Sequence, residues 1–461
     1  MNFLILIYTS VNWRYALKSF FIKSHNALPY TSKITQNIWH FKTKFEYIFV
    51  NFTQITVFLL HFNLFGYFDL FVYNSRCIYN SKTGEIFMKK KKNQTNLIFL
   101  HKLIKSFADS LVKAFVPLII LKNTNSLLFV AIYLIAEYAF FCVFNLALKK
   151  FLQKYGIVAM VLHIIPIIAL QFLLTLEIDI WMCLVLGVLG SLSLSLYSVP
   201  LNLLFAFTDK NVNVAKFQIA TNIGKLIFIL IGGYIIGSDA KNSILFLSIF
   251  GTALYVMSII PILYGYNLMK TKYDKIAAKH PEINKGSYKY FNLYHMFFSM
   301  FQGVLDQVVP LYLYIENLTF ESVTIVMALI EVCKIAANLL AKQLVLKKKA
   351  KLSCFISATC FAVGSIVMMT VRVPIVLYIC TCAIAISFPL LFVPMFRLFI
   401  KKIVRENNQF DGMSYRDVYI AAARPIVFAP CLLISNLMIP FALGLCAAVG
   451  IGVCCNKVVK K

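Results

Sequence analysis

Long apolar segments recur along most of this chain, and they restrict its possible folds more than any other feature. A helix needs about 20 predominantly apolar residues to cross a bilayer. From Leu97 onward twelve segments fit this description, and most of the loops between them are short. Their limits are 100–121, 126–148, 156–174, 178–205, 217–237, 243–267, 291–314, 321–341, 353–371, 374–396, 417–434 and 437–455. The sequence therefore predicts an all-α polytopic membrane protein with twelve transmembrane helices.

Composition argues against a soluble protein. Hydrophobic residues make up 60% of the chain and charged residues 14%, against roughly 45–50% and about 25% in soluble domains. The formal net charge is +27, but a basic domain that binds nucleic acid would not be this apolar, so no nucleic-acid partner is expected. The 12 cysteines are too sparse for a disulfide framework and lack the spacing of a zinc site, so no metal is predicted.

Basic residues are divided very unequally between the two sides of this predicted topology. If the segment before the first span is cytoplasmic, about 30 Lys and Arg residues fall on that side, with Lys102 and Lys105 among them. The opposite side carries only Lys122, Lys241 and Arg372. This bias predicts a multi-pass protein of the cell membrane with both ends of the twelve-span unit in the cytoplasm. The basic loops are expected to contact anionic lipid headgroups.

The two halves of the twelve-span region resemble each other. Each half opens with a span that contains Val-Pro-Leu, at Val116–Leu118 and at Val309–Leu311, and its next span carries one central Glu. Three residues recur 194 positions later: His101, Phe107 and Glu137 as His295, Phe301 and Glu331. Parallel six-span repeats are a known transporter architecture. The predicted units are an N-terminal bundle, a cytoplasmic central loop and a C-terminal bundle, at 88–267, 268–290 and 291–461.

Residues 1–87 differ from the rest, because they are rich in aromatic residues and precede a basic run that begins at Met88. Two interpretations stay open for this N-terminal extension. It is either a leader before a natural start at Met88, or it contributes an additional span at 46–73, which would be an unusually polar one.

Eight charged residues fall in the interior of the predicted spans, away from their ends. A charge at the centre of a bilayer costs about 2.5–3.5 kcal/mol on insertion scales, so each needs a partner or a water-filled cavity. They lie in the first, second, fifth, seventh, eighth and eleventh spans, and none lies in the third, sixth, ninth or twelfth. The set is Asp109, Lys113, Glu137, Lys225, Asp306, Glu331, Lys334 and Arg424.

Spacing suggests partners for four of these residues. Asp109 and Lys113 are four positions apart, and Glu331 and Lys334 are three apart, so each pair can meet on one helix face. These contacts would be structural neutralisation or part of a site.

The other four charged residues have no partner nearby in the sequence. Glu137 and Asp306 are therefore the better candidates for a carboxyl group that takes up a proton during transport. Lys225 and Arg424 could pair with them across the bundle, bind a solute, or only stabilise the packing.

The chain resembles the major facilitator superfamily, as a divergent member. The resemblance rests on the twelve-span layout, the long middle loop, the Phe107–Pro117/Phe301–Pro310 repeat and the Glu137/Glu331 repeat. In that family, spans one, two, four, five, seven, eight, ten and eleven surround a central cavity, and all eight charged residues fall on those spans. The resemblance implies a secondary transporter that moves a small polar or charged solute by alternating access, with proton coupling as a further hypothesis.

One family motif is altered here. The loop after the second span reads KKFLQKYG from Lys149 to Gly156, and Gln153 stands where the family usually has an Asp. Two alternatives stay open: efflux of hydrophobic cations or drugs, and a non-transporting sensor or assembly protein with the same fold. No motif of an enzyme occurs, so no catalysis and no cofactor are predicted, and the protein is expected to act as a monomer.

Overall fold

The described part of the chain is built of helices. The computed structural model describes residues 83–208, 214–238, 242–277, 288–316, 318–347, 349–406, 409–434 and 436–459. In the first half (83–277), the α-helices are α1 (Thr83–Leu111), α2 (Val116–Thr124), α3 (Leu127–Ala147), α4 (Lys149–Leu162), α5 (Ile164–Leu173), α6 (Ile180–Thr208), α7 (Val214–Gly237), α8 (Ser243–Tyr264) and α9 (Tyr266–Ala277).

The second half (288–459) continues the series. Its α-helices are α10 (Lys289–Gly303), α11 (Val309–Ile315), α12 (Phe320–Leu346), α13 (Ala350–Thr370), α14 (Pro374–Arg405), α15 (Gln409–Phe428) and α16 (Met438–Val459). The proposed extra span at 46–73 and residues 278–287 of the central loop lie outside the described residues.

Among the described residues, nine helices are long and apolar enough to cross a membrane. The pair α4 and α5, which bends by 41° between its two parts, adds a tenth if it is counted as one span. The described part of the chain thus has the helices of a multi-pass membrane protein. The count of twelve spans and the six-plus-six repeat stay predictions.

The two predicted spans missing from this set are the first and the eleventh, and both are rich in charge. The first contains Lys105 and Asp109, and the eleventh contains Asp417 and Arg424. The charged groups that mark these helices as functional candidates also lower their hydropathy, so length and composition alone do not identify them as spans.

The helices that carry Val-Pro-Leu are interrupted just before that motif in both halves. After α1, a 3-10 turn at Lys113–Phe115 precedes α2, whose first turn contains Pro117. After α10, a π turn at Val304–Val308 precedes α11, whose first turn contains Pro310. Proline is tolerated in a first helical turn because its missing N–H would have no helical partner there. The repeated motif therefore restarts a helix at the same place in each half.

The two halves meet mainly through two pairs of helices. α7 packs against α12, and α3 packs against α15. We call the region where α3 and α7 of the first half meet α12 and α15 of the second half the junction. Most of the charged residues singled out in the sequence lie there or beside it.

Candidate functional site

Asp109 is paired with a different lysine from the one that its spacing suggests. Lys105 Nζ lies 2.6 Å from Asp109 Oδ2, and the Tyr255 hydroxyl donates to Asp109 Oδ1 at 2.6 Å. The expected Asp109–Lys113 pair is wrong because α1 ends at Leu111 and Lys113 lies in the 3-10 turn. An i,i+4 contact needs a continuous α-helix, which only the step from Lys105 to Asp109 provides.

Lys113 faces Glu137 instead. Its Nζ lies 3.9 Å from Glu137 Oε1, at the outer limit of an ion pair, and Glu137 is 4% exposed. Glu137 fits beside α6 because that helix has glycine at the contact. A Cβ on Gly190 would lie 3.0 Å from Glu137 Oε1, so a larger residue would press on the carboxylate. Glu137 has no charged partner within its own helix, and the structure supplies one, Lys113, from the break after α1.

Lys334 joins two carboxylates in the second half. Its Nζ donates to Glu331 at 2.9 Å, as the i,i+3 spacing suggests, and to Asp306 at 3.3 Å. Asp306 also accepts a hydrogen bond of 2.9 Å from the Gln302 amide one turn earlier. The expectation that Asp306 has no partner nearby in the sequence is therefore wrong, because a neutral amide was overlooked. Asp306 lies within the π turn, a helix irregularity that is frequent at functional sites.

Arg424 connects the halves directly. Its guanidinium donates to the Tyr138 hydroxyl, and its centre lies 4.5 Å from the centre of the Tyr138 ring. The Arg424 side chain is buried, and its Nε has no hydrogen-bond partner among the described residues. A phenol carries no counter-charge, so this contact leaves the guanidinium without a neutralising partner and with an unused donor.

A second polar contact crosses the junction from α7. The Asn222 amide is oriented with its nitrogen toward the Glu331 carboxylate. In this orientation the Asn222 nitrogen donates to Glu331 Oε2 at 3.2 Å. Lys225 follows one turn later on α7 and is half-buried. No described carboxylate lies within ion-pair distance of Lys225, although it interacts electrostatically with Asp306. Of the eight candidates, Lys225 is thus the one that the described residues leave outside any ion pair or hydrogen bond.

Polar contacts also link the halves at the end that carries the basic loops, which we call the basic end. Lys149 Nζ lies 2.8 Å from Asp411 at the start of α15. The Ser198 hydroxyl of α6 donates to Asp417 at 2.5 Å, and Arg416 donates to the same carboxylate at 3.0 Å. An ion pair therefore joins the altered KKFLQKYG loop to the other half even though Gln153 replaces the usual acid.

The opposite end is closed by close packing. A Cβ on Gly233 of α7 would lie 2.1 Å from Thr324 Oγ1 of α12, so only glycine fits at this crossing. Nearby, the rings of Phe115 and Phe320 have centroids 5.8 Å apart. Contacts between the halves are thus present at the basic end, at the opposite end and in the junction between them.

Several of these residues escaped the sequence reasoning. They are Lys105, Tyr138, Asn222, Gln302 and Asp411. Lys105 was assigned to the cytoplasmic segment, although its spacing from Asp109 matches that of Lys113. Tyr138 follows Glu137 directly, but nothing in the sequence indicates that it meets Arg424, 286 positions away.

The described residues hold no group of three or more His, Cys, Asp or Glu side chains arranged to bind a metal ion. Sequence comparison identifies no relatives: no family model matches the chain, and no curated protein matches it.

Solved structures do match. One is a bacterial homologue of the iron transporter ferroportin in the outward-facing state with soaked iron. It has a TM-score of 0.61 and 14% sequence identity, and the match covers 80% of this chain and 99% of that one. The same homologue in the outward-facing state matches with a TM-score of 0.60 and 14% identity, over 80% of this chain and 100% of the other.

At this identity the likeness concerns the fold. Both neighbours are structures of this homologue of an iron transporter. The likeness shows that, over 80% of the chain, the helices are arranged as in this transporter homologue, which supports the sequence resemblance at the level of fold alone.

Proposed function

We propose that the protein is a secondary transporter that moves a small polar or charged solute by alternating access. One observation carries the proposal: the halves meet in the junction through polar contacts made by ionisable groups. Arg424 binds Tyr138, and Glu331 accepts from both Lys334 and Asn222. Contacts of this kind can be exchanged for a solute or for each other, whereas an interlocked apolar core cannot open without exposing its surface.

The energetic cost of these charges supports the same proposal. Each charge at a bilayer centre costs about 2.5–3.5 kcal/mol on insertion scales, and such residues usually mark solute or proton pathways. A protein that served only as a scaffold in the membrane would be more stable with apolar residues at these positions. This argument favours transport over the alternative of a sensor or assembly protein.

Proton coupling is proposed at Glu137 or Asp306. Glu137 is held by a lysine at only 3.9 Å, and that lysine lies in the 3-10 break, where the backbone can rearrange more easily than within a helix. If Lys113 moves away while Glu137 stays buried, the carboxylate loses its nearest cation, and a proton could replace that cation as the neutralising charge. Asp306 is the more accessible of the two, with 27% of its side chain exposed, and shares Lys334 with Glu331.

The wider context of the proposal follows the sequence. We propose twelve spans in two six-helix bundles, both ends of this unit in the cytoplasm, a monomer in the cell membrane, and contacts of the basic loops with anionic headgroups. The ferroportin homologue was soaked with iron, so a metal ion is one solute to test. Efflux of hydrophobic cations is another.

The experiment compares metabolite profiles of cells and medium. One strain overproduces the wild type, and the other overproduces Glu137→Gln/Asp306→Asn at equal abundance in the membrane. A solute whose distribution changes only with the wild type supports transport and shows its direction. Identical profiles over a broad panel that includes metal ions and hydrophobic cations would contradict transport and favour the sensor or assembly function.

A further inference from the structure

Positive charge exceeds negative charge in and around the junction. Once Lys105 is included, five cationic side chains face four carboxylates. The cations are Lys105, Lys113, Lys225, Lys334 and Arg424. The carboxylates are Asp109, Glu137, Asp306 and Glu331. The eight span charges alone balance, so the excess of one positive charge comes from Lys105, which forms the ion pair with Asp109.

The pairing pattern locates the excess. In the first half, Lys105 pairs with Asp109 and Lys113 lies near Glu137. In the second half, Lys334 pairs with both Asp306 and Glu331. Lys225 and Arg424 have no carboxylate within ion-pair distance among the described residues. Each interacts with Asp306 electrostatically from a greater distance.

These two cations come from opposite halves. Lys225 lies one turn beyond Asn222, which reaches across to Glu331, and Arg424 reaches across to Tyr138. Arg424 is 7% exposed, and its Nε has no acceptor among the described residues. A buried guanidinium with an unused donor is well suited to bind a carboxylate or a phosphate, which offer several acceptor oxygens.

We propose that the transported solute is a small anion of the carboxylate or phosphate class, held between Lys225 of the first half and Arg424 of the second. This inference rests on the proposed transport function. A bound anion supplies the negative charge that this region lacks, and contact with both halves makes its binding sensitive to their relative position. A cationic solute would meet the unneutralised Lys225 and Arg424 and be repelled.

The test uses the full chain, purified and reconstituted in liposomes. Labelled lactate, succinate and inorganic phosphate serve as anionic probes, with tetraphenylphosphonium and Mn²⁺ as cationic probes. Binding of the same probes to the detergent-solubilised protein is measured in parallel by thermal shift. We expect uptake of at least one anion by the wild type and of neither cation.

Four variants separate a charge contact from a general defect. Lys225→Gln is expected to reduce anion uptake at least tenfold, while Lys225→Arg keeps most of it because the positive charge remains. Lys270→Gln, an exposed position on α9 away from the junction, should match the wild type. Arg424→Gln should also reduce anion uptake without abolishing folding, as judged by its thermal midpoint.

The outcomes distinguish the proposal of transport from the proposal that the solute is an anion. Uptake of a cation but of no anion overturns the anion assignment and leaves transport standing. Saturable anion binding that Lys225→Gln weakens, with no uptake of any probe, supports the anion site and overturns transport. Neither binding nor uptake of an anion, or anion uptake unchanged in both Lys225→Gln and Arg424→Gln, overturns the inference.

Discussion

The guanidinium of Arg424 donates to the hydroxyl of Tyr138 across the junction, which links two residues 286 positions apart. Hydrogen bonds to charged groups contribute about 1.5–3 kcal/mol. This bond is therefore strong enough to bias the conformation in which the halves are in contact. It also keeps a buried charge supplied with one acceptor at the place where the halves must separate.

Tyr138→Phe is predicted to loosen this contact without disturbing the packing, because only the hydroxyl is removed. The conformation in which the halves are in contact should become less stable by about 1.5–3 kcal/mol. Amide hydrogen exchange in α3 and α15 should therefore be faster. Mass spectrometry of the purified protein measures that exchange. Tyr378→Phe on α14 provides a matched control and should leave both helices unchanged. Equal exchange in Tyr138→Phe and the wild type would show that this bond does not hold the halves together.

The pairing of Asp109 can be tested by a double-mutant cycle. Lys105→Met and Asp109→Asn are predicted to be coupled, since each single change leaves the other group without its partner, with a coupling of about 0.5–3 kcal/mol. Thermal midpoints of the wild type, the two single variants and the double variant give the coupling between the two residues. The matching cycle with Lys113→Met and Asp109→Asn should show weaker coupling, because no ion pair joins those two groups. Coupling only in that second cycle would restore the pairing that spacing alone suggests.

Gly233 is predicted to be intolerant of any side chain, because its Cβ would lie 2.1 Å from Thr324 Oγ1. Gly233→Ala should separate α7 from α12, lower the thermal midpoint and reduce solute movement several-fold. Gly452→Ala is the control, since a Cβ there meets nothing within 4 Å.

The double variant Gly233→Ala/Thr324→Gly transfers the small residue to the other helix. This double variant should recover part of the thermal stability that Gly233→Ala loses. The recovery should be incomplete, because glycine within the α12 helix costs about 1 kcal/mol. No recovery, together with a normal thermal midpoint in Gly233→Ala, would contradict a close crossing of these helices.

The ion pair between Lys149 and Asp411 should hold the basic end weakly. Both side chains are partly exposed, at 31% and 18%, so we expect a contribution of about 0.2–1 kcal/mol that added salt reduces. Lys149→Asp and Asp411→Lys should each speed proteolysis of the adjacent loop by a few-fold at low salt. The charge-swapped double variant should return to the wild-type rate, and a rate that stays high would argue against direct pairing.

Much of the fold could be predicted from the sequence, because long apolar segments leave few alternatives in a membrane. The weakest predictions were the first and eleventh spans, where Asp109 and Arg424 reduce the apolar signal that defines a span. The sequence shows the Val-Pro-Leu motif as a repeat. Only the structure shows that this motif restarts a helix after a break.

The site was predicted in its members but only partly in its pairings. Glu331 and Lys334 share an unbroken helix, so their spacing was sufficient. The helix break before Lys113 invalidated the same reasoning for Asp109, since the positions no longer share a helical face. Contacts such as Ser198 with Asp417 depend on how distant helices pack, and a single sequence carries no signal for them.

The most direct test of alternating access is to measure distances between the halves at both ends. Site-specific spin labels at Lys150 and Lys401 report on the basic end, and labels at Thr175 and Thr370 report on the opposite end; all four side chains are exposed. Adding the solute should lengthen one distance and shorten the other. Glu137→Gln, which imitates the protonated carboxyl group, should have the same kind of effect. Distances that stay fixed, or that change in the same direction at both ends, would contradict alternating access.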